Sequence, residues 1–397
     1  MTQAEIAHFD ADDGIKIGFS TNVLFHPSND VIAKADLVEA FGVLSGLFEA
    51  VEIELSEDIQ KDVLDCPPER YQAIVTAVRH LAGRNGNRLS VHAPWYGEAT
   101  NLAAPRVEER ERSIALLSRA IDFAADVSAG FVTCHPGYHE GQEASRYNAH
   151  LRSALATAAA YARSRGVQLC LENMGADRPS YIVHSVEEMK EICAATGIRV
   201  TLDIIHLRSH YGSREAFFEA LCEVAPLVAN VHIADMQDAR HAHVPIGDGN
   251  LPLEESLDVL GKAGYRGAAI IEEFVRTCDF QRFLDKAVIF RDRYGDGDAG
   301  WTPAAVPAAG RLATRALGAV TGATLSPAGD VVLESRDGRR VVRNVCPHTG
   351  VRLNAMAPLS VDGGYLVCSV HGALFNADGL CVRGPCKGRS LIPAPAQ

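Results

Sequence analysis

The chain lacks any apolar segment long enough to span a membrane, because no run in its 397 residues approaches about eighteen uninterrupted apolar side chains. Its first ten residues have neither the basic region nor the apolar run of a secretory signal. The ten cysteines do not follow the paired spacings of a disulfide framework. These absences predict a protein of the reducing cytoplasm that has no membrane partner.

Positive charge is scarce in the first 300 residues, which contain 28 Arg and Lys against 45 Asp and Glu. Proteins that bind nucleic acid do so largely through Lys and Arg contacts to phosphates. The acidic first part therefore disfavours nucleic acid as a partner. Residues 301–397 have the opposite balance, with 10 Arg and Lys against 5 Asp and Glu, which suits either a solvated surface or docking of the basic part on the acidic part.

A stretch of Gly, Ala and Pro without periodicity separates these two parts. It reads GDGDAG at residues 295–300 and WTPAAVPAAG at residues 301–310. Such a composition is typical of a linker. We therefore predict a first domain at residues 1–294, a linker at residues 295–311 and a second domain at residues 312–397.

Short apolar runs alternate with amphipathic stretches through the first domain. Eight runs predict strands, at Ile15–Ser20, Val51–Leu55, Arg88–His92, Phe131–His135, Val167–Glu172, Val200–Ile205, Val228–Ala234 and Ala268–Glu273. Eight stretches predict helices, at Ala35–Ala50, Glu69–Arg84, Val107–Val127, Ala144–Arg163, Val186–Ala195, Ser213–Val224, Leu253–Ala263 and Phe280–Arg293. Eight such units predict an α/β protein with a (β/α)8 TIM barrel. A doubly wound open sheet is the alternative, but no Gly-rich dinucleotide fingerprint follows the first run.

Histidine and carboxylate side chains stand at or just beyond the carboxyl ends of the later predicted strands. They are His92, His135, Glu172, Asp203, His206, His232, His241, His243 and Glu272. The carboxyl ends of the strands form the catalytic face of a (β/α)8 barrel. A mixed set of imidazoles and carboxylates suits iron, manganese or zinc. We predict a centre of one to three divalent ions, with iron favoured.

A second group of ligand-type residues lies near the C-terminus. Cys346-Pro347-His348 supplies one thiolate and one imidazole, and Cys368-Ser369-Val370-His371 supplies another of each. Two thiolates and two imidazoles are the ligands of a Rieske [2Fe–2S] cluster. A tetrahedral zinc site is the alternative, since zinc accepts the same ligands.

The residues around these four ligands resemble Rieske ferredoxin-type domains over roughly residues 312–397. The resemblance rests on the segment HGALF that begins at His371, on Gly384-Pro385 and on the segment LIP that ends at Pro393. It implies a small all-β domain that carries a one-electron carrier. Val351 and Val370 stand where respiratory Rieske proteins have a disulfide, so the resemblance is to the oxygenase type.

The first domain resembles the xylose-isomerase-like superfamily, in the branch with endonuclease IV and sugar phosphate isomerases and epimerases, over roughly residues 15–290. The matching segments are VHAPW, CHPG, LEN, LDIIH, VHIAD, HVPIGDG and IIEE. The resemblance implies that one Mn-type ion binds Glu172, Asp203, His232 and Glu272. It also implies that His92, His135, His206 and His243 match the further ligands of trinuclear endonucleases. The last such ligand is an Asp, and His241 in its place disfavours hydrolysis.

Three functions compete. The leading hypothesis is an oxygenase-type oxidoreductase that acts on a small molecule and whose barrel centre receives electrons from the Rieske cluster. The alternative is a sugar or sugar phosphate isomerase, epimerase or lyase with a regulatory or structural cluster, in which the carboxylates of Glu172 and Glu272 act as catalytic groups beside one ion. An endonuclease IV-like phosphodiesterase is the third.

The partners follow from the redox hypothesis. No flavin-binding or nicotinamide-binding pattern is present, so an external ferredoxin or flavin reductase would supply the electrons. The substrate would be a small molecule. A homo-oligomer is left open.

Overall fold

The computed structural model describes most of the chain, in fifteen segments. They are residues 14–22, 37–55, 63–95, 100–139, 144–176, 180–238, 242–272, 280–294, 320–335, 338–347, 350–355, 358–362, 365–369, 373–383 and 389–394. The predicted linker at residues 295–311 lies outside them, so its position stays a prediction.

Eight parallel strands close into a barrel, which confirms the predicted fold class. The strands are β1 (Lys16–Ser20), β2 (Ala50–Glu54), β3 (Arg88–His92), β4 (Phe131–Cys134), β5 (Gln168–Glu172), β6 (Arg199–Asp203), β7 (Val228–Ile233) and β10 (Ala268–Ile271). Strand β10 pairs with both β7 and β1, which closes the sheet. Nearly every strand residue is buried, as expected where helices cover a parallel sheet.

Helices connect the strands and cover the outside of the barrel. They are α1 (Leu37–Ser45), α2 (Pro68–Asn85), α3 (Val107–Val127), α4 (Ala144–Ser164), α5 (Val186–Thr196), α6 (Ile204–His210), α7 (Arg214–Val224), α8 (Leu253–Lys262) and α9 (Phe280–Tyr294). Two helices have typical capping motifs at one end. Helix α2 ends at Gly86 in the left-handed conformation, and α5 begins with a capping box between Ser185 and Glu188. Among the described residues, no helix is long and apolar enough to cross a membrane.

Two short elements differ from the predicted pattern. The predicted sixth strand included Ile204 and Ile205, but α6 begins there because the Asp203 carboxylate accepts a hydrogen bond from the His206 N–H at 2.7 Å. A two-stranded hairpin, β8 (Asp235–Met236) with β9 (Ala242–Val244), follows β7 and was not predicted. Both elements lie at the carboxyl end of the barrel.

The second compact unit contains residues 320–394 and is built of antiparallel sheets. One sheet consists of β11 (Val320–Leu325), β12 (Val331–Ser335) and β13 (Gly338–Val342), and the other of β14 (Ser360–Asp362), β15 (Tyr365–Val367), β16 (Leu374–Phe375) and β17 (Cys381–Arg383). Leu333, Leu366 and Phe375 are buried in its core. This architecture confirms the predicted small all-β domain.

Candidate metal centre

The carboxyl ends of the barrel strands bring eight of the nine predicted ligands together. Their donor atoms form three groups, and within each group the atoms lie within 4.8 Å of one another. We name them the His92 group (His92, His135, Glu172), the His243 group (Asp203, His206, His243) and the four-residue group (Glu172, Asp203, His232, Glu272). The ninth predicted ligand, His241, lies outside the described residues. Because Glu172 and Asp203 each belong to two groups, the three groups are contiguous.

Glu172 lies between the His92 group and the four-residue group. Its Oε2 atom is 3.0 Å from His92 Nε2 and 3.2 Å from His135 Nε2. Its Oε1 atom is 3.5 Å from His206 Nδ1 and 3.6 Å from His232 Nδ1. The two oxygens of one carboxylate therefore face different sets of imidazoles, which is the geometry of a bridging ligand.

In the His243 group, hydrogen bonds to backbone carbonyls determine which nitrogen of each imidazole faces the centre. His206 Nδ1 lies 2.9 Å from the carbonyl oxygen of Asn173, and His243 Nδ1 lies 3.1 Å from that of Glu272. A carbonyl only accepts, so both Nδ1 atoms carry hydrogen and donate it. The two Nε2 atoms lie 3.3 Å apart, and in the neutral rings each presents a lone pair. Two lone pairs at this distance suit a shared cation.

Asn173 fixes the backbone of the neighbouring strand. Its Oδ1 accepts from the Asp203 N–H at 2.8 Å, and its Nδ2 donates to the Asp203 carbonyl at 3.0 Å. The amide thus mimics a strand partner beyond the end of β5. It positions Asp203 and, through the carbonyl contact described above, the ring of His206.

Asp235 folds the loop that carries His243. Its carboxylate accepts four backbone N–H groups, those of Met236, Gly247, Gly249 and Leu251, at 2.9 to 3.0 Å. A Cβ atom at Gly249 would lie 2.2 Å from Asp235 Oδ1, so that glycine is required for the approach. The segment HVPIGDG is therefore wrapped around one buried carboxylate, which places His243 in the centre.

Opposite charges within the centre shift the pKa values of its groups. Burial opposes a charge on His92, yet the hydrogen bond and charge of Glu172 raise the pKa of that ring to about 10. Burial also opposes a charge on Glu272, but His232 holds the pKa of that carboxyl near 2. The pKa of His232 is raised well above its usual value by Glu52, Glu272 and Glu172 against the effect of burial. Without metal, protons on these rings supply the positive charge that balances the carboxylates. Bound divalent cations would supply that charge instead.

Two buried donor atoms of the centre make no hydrogen bond within the described part of the chain. They are Asp203 Oδ2 and His135 Nδ1. Buried polar atoms are nearly always hydrogen-bonded, so a cluster of exceptions needs an explanation. Metal ligation supplies one, and the mixed oxygen and nitrogen donors fit Fe, Mn or Zn.

Sequence reasoning missed two buried carboxylates on β2, Glu52 and Glu54. Glu54 Oε1 accepts a hydrogen bond from Trp95 Nε1 at 2.6 Å, and burial raises the pKa of Glu54 to about 8. The Trp95 ring stacks on His135 with centroids 5.6 Å apart, and Tyr181 contacts the same imidazole edge-on at 5.9 Å. The available signal was a pair of acidic residues, at alternate positions, in an otherwise apolar strand.

Two of the four predicted cluster ligands, Cys346 and Cys368, are buried in the core of the second unit. A loop begins at each cysteine, and a hydrogen bond from the N–H of that cysteine closes the loop. Cys346 donates to the Val351 carbonyl at 2.7 Å, and Cys368 donates to the Ala373 carbonyl at 2.8 Å. The second loop is joined to the segment just after the first by a hydrogen bond from Ser369 N–H to the Leu353 carbonyl at 2.8 Å.

The other two predicted cluster ligands, His348 and His371, follow Cys346 and Cys368 in the sequence but are outside the described residues. The paired, equally closed loops suit a ligand set in which each loop contributes one thiolate and one imidazole.

Family models match both parts of the chain. Residues 37–293 match the model of the xylose isomerase-like TIM barrel, and residues 308–394 match that of the Rieske [2Fe-2S] domain. The second match supports a [2Fe–2S] cluster. An uncharacterized protein of Methanocaldococcus jannaschii is 28% identical over 198 residues, a region that covers 48% of this chain and 66%, just under two thirds, of that protein.

Solved structures share the barrel. A D-tagatose 3-epimerase-like protein aligns with a TM-score of 0.55 at 22% identity and covers 70% of this chain and 97% of its own. D-psicose 3-epimerase from Clostridium cellulolyticum aligns with a TM-score of 0.58 at 17% identity, covering 70% and 99%. The 3-keto-D-glucoside 4-epimerase of E. coli aligns with a TM-score of 0.54 at 17% identity, covering 70% and 99%. At these identities the similarity shows the fold alone.

Proposed function

Because the chain belongs to the family of xylose isomerase-like TIM barrels and carries a Rieske domain, we propose that it is an oxidoreductase with a polynuclear metal centre in the barrel that receives electrons from its Rieske cluster. The observation that carries the proposal is the contiguity of the three ligand groups through Glu172 and Asp203. A redox-neutral epimerase needs only one ion, whereas a centre of several ions with a one-electron carrier in the same chain suits oxygenase-type chemistry on a small molecule.

The residues would hold as many as three ions, with iron favoured and manganese or zinc as alternatives. The His92 group, the His243 group and the four-residue group would each hold one. Bound ions of this kind polarise substrate oxygens and, as iron, supply one-electron chemistry. Cys346, His348, Cys368 and His371 would hold the [2Fe–2S] cluster.

The chain's own residues would bind and orient the substrate and manage its protons. Glu172 and Glu272 are the proposed catalytic carboxylates, because both lie in the four-residue group and can accept a proton once ionised. Glu54, with its pKa raised to about 8, would keep a proton at neutral pH. Trp95 and Tyr181 would form an aromatic wall at His135, the least buried ligand of its group. The proposed electron donor is an external ferredoxin or flavin reductase.

The test combines metal analysis with single and multiple turnover. Anaerobically purified protein is expected to hold the two irons of the cluster and additional iron in the barrel, measured by metal analysis and Mössbauer spectroscopy. His348→Ala is expected to abolish multiple turnover with the barrel metal intact, since each cycle consumes electrons that must pass through the cluster. Turnover that persists in this variant without oxygen or reductant would reject the redox proposal.

An epimerase is the second candidate function. The four-residue group is complete by itself, and three of the solved structures that share the fold are named as a D-tagatose 3-epimerase-like protein, a 3-keto-D-glucoside 4-epimerase and a D-psicose 3-epimerase. In this case Glu172 and Glu272 would move a proton at the carbon beside a polarised carbonyl. Incubation of ketohexoses in D2O without reductant would then give epimers that carry solvent deuterium. The phosphodiesterase hypothesis is disfavoured by His241 and by the acidic barrel domain.

A further inference from the structure

Glu52 is a buried carboxylate that belongs to none of the three ligand groups. It has no exposed surface and lies two residues before Glu54 on β2, so both side chains project from the same face of the strand. This places Glu52 one layer deeper in the barrel than the ligands. The fold normally fills that layer with bulky apolar side chains. Burying a carboxylate there costs desolvation free energy unless hydrogen bonds and an opposite charge compensate it.

The partners of Glu52 come from two other strands. Ser90 Oγ donates to Glu52 Oε2 at 2.9 Å, and Asn230 Nδ2 donates to the same oxygen at 3.0 Å. The other oxygen, Oε1, lies 2.8 Å from His232 Nε2. The far side of the same ring, Nδ1, lies 2.8 Å from Glu272 Oε2 in the four-residue group. One imidazole thus separates Glu52 from the centre.

We propose that Glu52 is the positioning residue of His232, which it holds with Nε2–H towards the barrel interior and the Nδ1 lone pair towards the metal. Asn230 Nδ2 is also 3.2 Å from His232 Nε2 and can only donate to it, but a bare Nε2 would set its lone pair against Glu52 Oε1 at the shorter distance of 2.8 Å. Glu52 is therefore the acceptor that a metal-bound His232 requires. A carboxylate behind a ligating histidine fixes the ring orientation and raises its basicity.

This role makes His232 different from three other histidines of the centre. His92, His206 and His243 each place Nδ1 within 2.8 to 3.1 Å of a backbone carbonyl, so each presents Nε2 to the centre. His232 presents Nδ1. The difference gives the proposal a spectroscopic signature that a merely structural carboxylate would not produce.

Glu52→Gln should disturb this arrangement without changing the volume of the side chain. Ser90 Oγ and Asn230 Nδ2 both donate to Oε2 of Glu52, so the oxygen of the introduced amide must face these two donors. Its NH2 group then faces His232. The Nε2 atom must then accept, so the hydrogen moves to Nδ1 and the ring loses its metal-binding lone pair. We expect the affinity of the four-residue group to fall about 10- to 100-fold.

The experiment measures Mn(II) binding to full-length protein by the EPR signal of free Mn(II). Thr133→Val is the matched control, because Thr133 is also buried beneath the ligands and pairs with Thr201 at 2.8 Å, away from His232. Glu52→Gln is expected to weaken one site while the control binds as wild type does. In zinc-loaded protein with labelled imidazoles, long-range 1H–15N spectra should show the ring of His232 bound through Nδ1, and this pattern should vanish in Glu52→Gln.

The outcomes separate this inference from the metal centre on which it rests. A folded Glu52→Gln protein with wild-type Mn(II) affinity and an unchanged imidazole spectrum would overturn the role of Glu52. Wild-type protein that binds no Mn(II) would instead remove the metal centre and the proposed function with it. If Glu52→Gln does not fold, Ser90→Ala tests the role of Glu52 instead, because it removes one of the donors that hold the carboxylate. That variant should weaken one site about two- to fivefold, and no effect would overturn the role.

Discussion

The Nε2 atoms of His206 and His243 lie 3.3 Å apart, while the Nδ1 atom of each ring faces a backbone carbonyl. The carbonyls keep hydrogen on Nδ1, so two lone pairs or one shared proton must occupy the space between the rings. A divalent ion at this point, with Asp203 as the third ligand of the His243 group, would replace an unfavourable contact with two metal–nitrogen bonds.

The first prediction follows from this contact: metal removal should destabilise the barrel. A ligand that binds only the folded state adds about 2.7 kcal/mol to the free energy of unfolding at 100 times its dissociation constant. Protein treated with a chelator and then given Mn(II) at that excess should recover stability of this order, measured by denaturant unfolding followed by circular dichroism. The His243→Ala variant should recover less. Equal stability with and without Mn(II) would contradict the prediction.

The second prediction concerns Glu172, which faces two groups with its two oxygens. Glu172→Ala should remove metal from both the His92 group and the four-residue group and abolish activity, because the remaining imidazoles lose their common anionic ligand. The absorption and EPR spectra of the [2Fe–2S] cluster should stay unchanged. Metal analysis of the purified variant is the measurement. Glu219→Ala, at an exposed glutamate on α7, is the control and should retain full metal content.

The third prediction is that metal uptake releases protons. Without metal, His92 has its pKa raised to about 10 and His232 has its pKa raised well above the usual value, so both rings are protonated at neutral pH. A metal ion must displace these protons, so the apparent affinity for metal should rise as the pH rises from about 6 to about 9. Calorimetric titration with Mn(II) in two buffers of different ionisation enthalpy counts the protons. Equal heats in both buffers would contradict the prediction.

The fourth prediction concerns Asp235, whose carboxylate accepts four backbone N–H groups of the loop that carries His243. Asp235→Asn should set an NH2 group against two of these donors. We expect a loss of about 2 to 4 kcal/mol in the free energy of unfolding of the metal-free protein. Metal content of the His243 group should also fall. Asp248→Asn, in the same loop but paired with Lys286 near the surface, is the control: it should change stability by no more than about 0.5 kcal/mol and leave the metal content unchanged.

The strand ends show how far the barrel follows from sequence. All eight strands were predictable, because apolar runs buried on both faces alternate with helical periodicity, and eight of the nine residues predicted as barrel ligands lie together at the strand ends. The prediction overran at Ile204 and Ile205, where capping by Asp203 starts a helix in a segment whose apolar pattern also suits a strand. The local pattern of apolar residues gives no information about such a side-chain hydrogen bond.

The identities of the candidate ligands thus follow from the sequence, but their arrangement was decided by tertiary structure. Glu52 reads as a surface residue of a strand until barrel closure places β2 near β7 across the interior and brings it to His232. Asp235 stands in the sequence simply at the end of the predicted seventh strand, and only the fold brings back the segment after β9, which donates its N–H groups to the carboxylate. Which nitrogen of each imidazole faces the centre depends on carbonyls and carboxylates from other strands, and such long-range contacts exist only once the chain has folded.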